Sequence, residues 1–164
     1  MTNNDILRRL RYVFDYGDAQ MITLFALGGD EGVTRADVSA WLKRDDDPDG
    51  ADCSDRTLAT FLNGLVVTKR GRRKGPLPVP EERLSNNAIL MKLKIALSLR
   101  AEDVLQALEL GGYRISKHEL SAFLRGPEHR QYRECGDQVL RKFLQGLQQE
   151  HRGGTQDDGA RGEA

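Results

Sequence analysis

Each of the two cysteines in the chain stands two residues before an aspartate, in the segments Cys53-Ser54-Asp55 and Cys135-Gly136-Asp137. A thiol at the start of a helix can have a lowered pKa and act as a nucleophile or a redox sensor. Nucleophilic catalysis also needs a base beside the thiol, and no histidine stands at a matching position near both cysteines. The pattern therefore favours a small buried cysteine beside an aspartate that caps the helix.

Residues 45–50, which read DDDPDG, have the spacing of the first half of a calcium-binding loop. The twelfth position of that loop is Arg56, where a calcium site needs a bidentate glutamate. The three histidines, His118, His129 and His151, have no metal-ligand spacing with a cysteine. We therefore predict no metal site and no cofactor, and we interpret residues 45–50 as an acidic, solvated loop.

Five basic residues lie between positions 69 and 74 with no acidic residue among them: Lys69, Arg70, Arg72, Arg73 and Lys74. Such a run can neutralise phosphates and release their counterions. Two observations weaken this interpretation, because Lys plus Arg (25) equals Asp plus Glu (25) over the chain and no aromatic residue interleaves the run. The alternative is a solvated helix face followed by a charged linker.

The elements that position these residues follow from an internal repeat. The segment NDIL at residues 4–7 returns as NAIL at 87–90, and LGG at 27–29 returns as LGG at 110–112. One residue is then lost, and the register continues to the end of each unit. Six of the matched positions form a repeat signature: Asn4 with Asn87, Cys53 with Cys135, and Asp55 with Asp137.

Apolar residues in each repeat recur at helical spacing and predict four helices. The first helix is expected to begin at an asparagine cap, and the second to stop at a Gly-Gly pair. The third opens at Thr34 or Ser116 with an acidic residue three positions later, which is the pattern of a capping box. Gly64 and Gly146 lie inside the fourth helices and indicate a close helix contact, expected where the two units meet.

The predicted fold is all-α, with two tandem, pseudo-symmetric four-helix units packed together. The first repeat spans residues 3–70 and the second spans 86–152. Between them lies a proline-rich, basic linker at 71–85, and residues 153–164 form a polar tail that is expected to be disordered. The chain has no apolar run of about 20 residues and no secretory signal, so we expect a cytoplasmic protein without a membrane partner.

The second and third helices of each repeat are helix-turn-helix-like, although the turn is longer than usual. Basic residues flank the third helices, with Arg35 and Lys43 in the first unit and Lys117 and Arg125 in the second. Two such units would resemble a covalent dimer that reads two DNA half-sites. The alternative is two ordinary packed helices with a glycine stop and basic residues at the helix end.

These motifs resemble those of the YehS family of short bacterial proteins, a family of unknown function. The resemblance rests on paired asparagines at 3–4 and 86–87, on FLNGL and FLQGL at 61–65 and 143–147, and on RECGD at 133–137. It covers nearly the whole chain apart from the tail and the length of the linker. It implies a bacterial, cytoplasmic protein and brings no activity, substrate or catalytic residue.

The functional prediction therefore rests on the residues themselves. We expect a non-enzymatic, regulatory or adaptor protein that binds a macromolecule, with DNA or RNA as the first candidate. A protein partner, held as a helix in a groove between the units, is the alternative, and the zero net charge favours it. An enzyme or thiol sensor that uses Cys135 and Asp137 is a third hypothesis.

Overall fold

The computed structural model describes residues 1–153, and within that range it contains eight α-helices and no β-strand. In the first unit the helices are α1 (Asn3–Phe14), α2 (Asp18–Leu27), α3 (Arg35–Leu42) and α4 (Asp55–Arg70). In the second unit they are α5 (Asn86–Ala96), α6 (Ala101–Leu110), α7 (Lys117–Leu124) and α8 (Asp137–Gln148). A single π-helical turn, Gln149–Gly153, follows α8. The predicted all-α fold with two four-helix units is therefore confirmed.

Side chains cap five of the eight helices of residues 1–153, and only some of these caps are the ones expected. Thr34 and Ser116 cap α3 and α7 in capping boxes, as the sequence predicts. The expected asparagine cap of the first helices is wrong, because Thr2 caps α1 and Ser85 caps α5. The aspartates expected to cap the fourth helices are also not caps. Ser54 and Gly136 occupy those positions, and the aspartates are the first helical residues.

Within each unit the second and fourth helices make the closest approach, α2 against α4 and α6 against α8. Gly64 faces α2 so closely that an added Cβ would collide with the backbone oxygen of Leu24. Gly146 has the same relationship with the backbone oxygen of Ala107 on α6. The prediction that these glycines mark the contact between the two units is therefore wrong, since both contacts lie inside a unit.

The two units share one hydrophobic core rather than two separate ones. Equivalent residues occupy equivalent environments, since Ile6 and Ile89 are 2% and 1% exposed and both Phe61 and Phe143 are fully buried. The units meet through two related helix pairs, α4 with α5 and α8 with α1. The α4–α5 contact is much the more extensive of the two.

The linker runs back along α4 without forming a helix or strand. Leu77 and Pro78 lie near Val66 and Val67 in the second half of α4, and Val79 and Pro80 lie near Arg56 and Thr57 at its start. It therefore covers the outer side of the α4–α5 junction. The tail that the sequence predicts to be disordered lies, beyond Gly153, outside the described residues.

Candidate functional site

The repeat signature holds the loop before each fourth helix in place. The side-chain amide of Asn4 donates to the backbone oxygens of Trp41 at 2.9 Å and Ala51 at 2.8 Å. Its side-chain oxygen accepts from the backbone N–H of Cys53 at 3.0 Å. One buried asparagine thus satisfies three backbone groups, one in the last turn of α3 and two in the loop before α4.

Asn87 makes the same three hydrogen bonds in the second unit. It donates to the backbone oxygens of Phe123 at 3.0 Å and Arg133 at 2.8 Å, and it accepts from the backbone N–H of Cys135 at 2.9 Å. Both asparagines are 7% exposed. The asparagine repeat is therefore explained by backbone support, and it offers no free polar group to a ligand.

The signature aspartates join the two units. Asp55 accepts from the side-chain amide of Asn3 at 2.7 Å within its own unit, and from the backbone N–H of Leu84 in the approach to the second unit. Asp137 accepts from Asn86 at 2.8 Å and from the backbone nitrogen of Met1 at 3.1 Å. The hydrogen bond from Asn86 and the Met1 nitrogen both lower the pKa of Asp137.

The two cysteines that precede these aspartates are unsuited to nucleophilic chemistry. Cys53 and Cys135 are buried and form no disulfide. Burial, with the nearby Asp55 charge, raises the pKa of Cys53 to about 12, and burial, with the nearby Asp137 charge, raises that of Cys135 to about 11. Both thiols are therefore protonated at neutral pH, whereas a reactive cysteine has a lowered pKa.

The five residues of the predicted basic run are all exposed, and two of them contact other side chains. Lys69 Nζ lies 4.9 Å from the centroid of the Phe14 ring, and Arg70 donates to Ser98 Oγ at 2.7 Å. Arg73 and Lys74 are exposed at the edge of a cavity that lies between α4 and α5. Arg72 is exposed on the linker. The run is thus divided between the end of α4 and the linker.

The basic residues predicted on the third helices differ in accessibility. Arg35 and Lys117 are exposed at the first residue of α3 and α7. Lys43 and Arg125, which follow these helices, are half-buried. Arg125 Nη1 lies 3.2 Å from His129 Nε2 in the loop after α7. In each unit, the two predicted cations therefore flank the helix, and neither lies within its interior turns.

The surfaces beside the two third helices carry different charges. In the first unit the loop after α3 contains five aspartates: Asp45, Asp46, Asp47, Asp49 and Asp52. One of them, Asp45, pairs with Arg8 of α1 at 3.3 Å. The basic residues of that loop are Lys43 and Arg44. In the second unit the corresponding loop contains three arginines, Arg125, Arg130 and Arg133, and two glutamates, Glu128 and Glu134. The duplication is therefore structural, whereas the electrostatic character of the two loops has diverged.

A pocket of about 600 Å³ lies between α7 and the loop after it. Four basic side chains line it: His118, Arg125, Arg130 and Arg133. Glu119 is the acidic residue in the lining, and Phe123 and Tyr132 contribute aromatic rings. We call this surface the α7 pocket. Sequence reasoning identified only Arg125 as a binding residue here, because Arg130, Tyr132 and Arg133 lie in a loop that does not resemble its counterpart.

An open groove lies between the units where α1 meets α8. Its volume is about 430 Å³, and the lining includes Arg8 and Arg9 of α1 and Arg141 of α8. Arg8 is already engaged, since it donates to the backbone oxygen of Lys43 and pairs with Asp5 and Asp45. The groove also contains Leu144. The space between the units is thus basic on this side, and on the opposite side the linker covers it.

Two further findings concern the described part of the chain. None of the helices within residues 1–153 has the length and apolar character needed to cross a bilayer. No cluster of three histidine, cysteine, aspartate or glutamate side chains in that range is arranged to hold a metal ion.

Comparison with known proteins places the chain in a family. A family model described as a protein of unknown function (DUF1456) matches the chain twice, over residues 3–71 and 86–153. The chain is also similar to the uncharacterized protein YehS of Escherichia coli (strain K12), with 42% identity over 148 residues, which cover 90% of this chain and 94% of the relative. No solved structure matches it. The chain therefore belongs to the DUF1456 family of proteins of unknown function.

Proposed function

We propose that this protein binds nucleic acid through the α7 pocket and the exposed start of α7. The observation that carries the proposal is the convergence of Arg125, Arg130 and Arg133 with two aromatic rings on one surface. Arginine recognises phosphate with several donors held in a fixed geometry, and it stacks on bases. Aromatic side chains stack on unpaired bases regardless of sequence.

The proposal assigns binding to the second unit alone. The loop after α3 carries five aspartates beside Lys43 and Arg44, whereas the loop after α7 carries three arginines beside Glu128 and Glu134. Aspartates repel a phosphate backbone. Two equivalent half-sites on DNA would require both third helices to approach phosphates. The charge divergence therefore favours one contact surface on a single-stranded or irregular nucleic acid.

The basic linker has a secondary role in this proposal. Arg72 is exposed, and Arg73 and Lys74 lie at the edge of the α4–α5 cavity. These side chains add positive potential, which raises the rate of association with a polyanion. The effect decreases as the ionic strength rises. They do not surround a pocket with aromatic walls as the α7 residues do.

The test is binding of a labelled single-stranded oligonucleotide and of a duplex to the full chain at several salt concentrations. The double variant Arg130→Gln/Arg133→Gln should weaken binding and reduce the salt slope by about one to two phosphate equivalents. The support from Asn87 is retained in this variant, because Asn87 contacts the backbone oxygen of Arg133 and not its side chain.

The matched control is Arg35→Gln/Arg44→Gln, which removes two cations beside the third helix of the first unit. This variant should bind nearly as well as the unaltered chain. Equal losses from both double variants would contradict the assignment to the second unit. Absence of salt-dependent binding to either oligonucleotide would overturn the proposal itself.

A protein partner is the second candidate, and the open α1–α8 groove favours it. Arg9 and Arg141 line the groove together with Leu144, so the groove suits a helix with an apolar stripe and acidic flanks. Capture of a partner from a bacterial lysate should survive nuclease treatment and be lost in Arg9→Glu/Arg141→Glu. Retention of the captured protein by that variant would eliminate the groove as the binding surface.

A further inference from the structure

The other junction between the units, where α4 meets α5, also contains a cavity, and it lies under the linker. It has a volume of about 330 Å³. Apolar side chains form most of its wall: Val66 and Val67 from α4, Ile95 from α5, and Pro76, Leu77 and Pro78 from the linker. Its size lies at the lower end of the range for small-molecule sites, which are mostly apolar with a few placed polar groups.

Asn63 supplies a buried donor that no group in residues 1–153 accepts. Its side chain lines the cavity and is 6% exposed. The side-chain oxygen accepts from Lys92 Nζ at 2.7 Å, whereas Nδ2 has no hydrogen-bond partner in the described chain. The ammonium of Lys92 can only donate, so the side-chain oxygen of Asn63 must face it. The two N–H groups of Asn63 Nδ2 therefore point away from Lys92.

A buried donor without a partner costs free energy, and native structures contain few of them. The other buried asparagines, Asn4 and Asn87, have all the partners described above. Tyr16 Oη and Arg152 Nε are the other buried side-chain atoms without a partner in residues 1–153. Among the buried asparagines of that range Asn63 is therefore the exception, and it lies at a cavity with an apolar wall. An acceptor brought by a ligand would remove the cost.

The charges around the cavity specify what kind of acceptor fits. Lys92, which is half-buried, also lines the cavity, and its ammonium pairs with Glu81 at 3.1 Å. Arg73 and Lys74 lie at the exposed edge. The buried end thus offers one shared ammonium and one unused amide donor. This set matches a single negative charge with two acceptor oxygens better than it matches a dianion.

We propose that the cavity between α4 and α5 binds a small monocarboxylate with a compact apolar body. The carboxylate accepts from Asn63 Nδ2 and lies beside Lys92 Nζ, and the apolar body packs against Val66, Val67 and Ile95. The linker covers the ligand through Leu77. This site shares no residue with the α7 pocket, and Arg73 and Lys74 at its edge are the residues that it has in common with the basic linker.

The second unit does not repeat the site. Gln145 stands at the position of Asn63, Arg9 at that of Lys92 and Tyr12 at that of Ile95. Arg9 and Tyr12 line the open α1–α8 groove, which the linker does not cover. The proposal is therefore specific to one junction, and the other junction provides an internal control.

The test is calorimetric titration of the full chain with octanoate and phenylacetate, with octanol and octyl phosphate as comparisons. At least one carboxylate should bind in a one-to-one ratio. Octanol should bind about tenfold or more weakly, because its hydroxyl offers Asn63 Nδ2 a neutral acceptor in place of a charged one. Tighter binding of octyl phosphate would overturn the assignment to a monocarboxylate. Absence of binding by both carboxylates would overturn the site.

Amide spectroscopy locates the ligand. The side-chain N–H resonances of Asn63 should move when the carboxylate is added, and those of Gln145 should not. Movement of both, or of Gln145 alone, would contradict the location.

Variants separate binding from folding. Asn63→Leu should weaken carboxylate binding about tenfold, and Gln145→Leu is the matched control that should leave it unchanged. If Asn63→Leu fails to fold, Ile95→Trp serves instead, because Ile95 is 39% exposed and a larger ring there fills the cavity. Undiminished binding by a folded Asn63→Leu or Ile95→Trp variant would eliminate the proposal.

Discussion

Leu84 donates its backbone N–H to Oδ2 of Asp55 at 2.9 Å, across the junction between the two units. The same carboxylate holds Asn3 through its other oxygen. Asp55 therefore fixes the beginning of α1 and the approach to α5 with a single side chain. A retained aspartate that resembles a helix cap in the sequence is thus a connection between units.

Replacement of Asp55 by asparagine tests this connection. The isosteric change substitutes a donor for one of the two acceptor oxygens, so one of the two bound N–H groups loses its partner. We expect the free energy of unfolding to fall by about 1–3 kcal/mol, measured by urea denaturation. Asp52→Asn in the same loop is the control and should change stability by less than about 0.5 kcal/mol. Equal effects of the two substitutions would contradict the role of Asp55.

Asn87 should be more important for stability than its neighbour Asn86. Asn87→Ala removes three hydrogen bonds to backbone groups in the loop before α8, and we expect a loss of about 2–4 kcal/mol. Asn86→Ala removes two bonds at a more accessible position and should cost less. Chemical denaturation of both variants measures the difference, and a larger loss in Asn86→Ala would show that the loop does not depend on Asn87.

Gly146→Ala should destabilise the protein although alanine is the better helix former. Alanine gains about 1 kcal/mol in helix propensity, but its Cβ would collide with backbone of α6, which cannot rotate away. We expect a net loss of about 2–3 kcal/mol in thermal or urea unfolding. The control is Gly136→Ala, where a Cβ would have open space around it and φ is −72°. A neutral Gly146→Ala variant would mean that α6 and α8 can move apart at little cost.

The buried thiols make stability depend on pH in the alkaline range. Their ordinary pKa is 9.0, and burial raises it to about 12 for Cys53 and about 11 for Cys135. The unfolded chain loses these protons first, so the stabilising contribution is complete below pH 9.0 and is lost as the pH rises through the folded values. Each cysteine should contribute a slope of about 1.4 kcal/mol per pH unit in that interval.

The measurement compares unfolding between pH 8 and pH 11 in the unaltered chain and in Cys53→Ala/Cys135→Ala. The other titrating groups are common to both proteins, so the difference between the two curves isolates the thiols. Parallel curves would show that the thiols ionise as readily in the folded state as in the unfolded one.

The sequence predicts the parts of this fold that depend on local pattern. Apolar spacing located the helices, and the residues at Thr34 and Ser116 predicted capping boxes that the structure contains. The repeat register correctly paired Phe61 with Phe143. Each of these signals lies within a few residues of the feature it predicts, where helix geometry leaves few alternatives.

The errors concern side chains whose partners are distant in the chain. An asparagine near a helix start is a favourable cap, so Asn4 looked like one, but it bonds to residues 37 to 49 positions away. Gly64 was expected to face the other unit, since spacing alone does not show which helix approaches a glycine. Sequence reasoning found only Arg125 of the α7 pocket, because Arg130, Tyr132 and Arg133 have no similar residues at the matching positions of the first repeat.

The pairing of α1 with α8 and of α5 with α4 has a consequence for how the chain assembles. Each unit packs its first helix and its fourth helix against the other unit. The aspartate contacts are repeated in the same way, since Asp55 accepts from Leu84 and Asp137 accepts from Met1. That is the geometry of a two-fold homodimer whose subunits have been fused. A half-chain produced alone carries both contact surfaces, so it would dimerise with a second copy of itself. The dimer would then bury the same core that the full chain buries within one molecule.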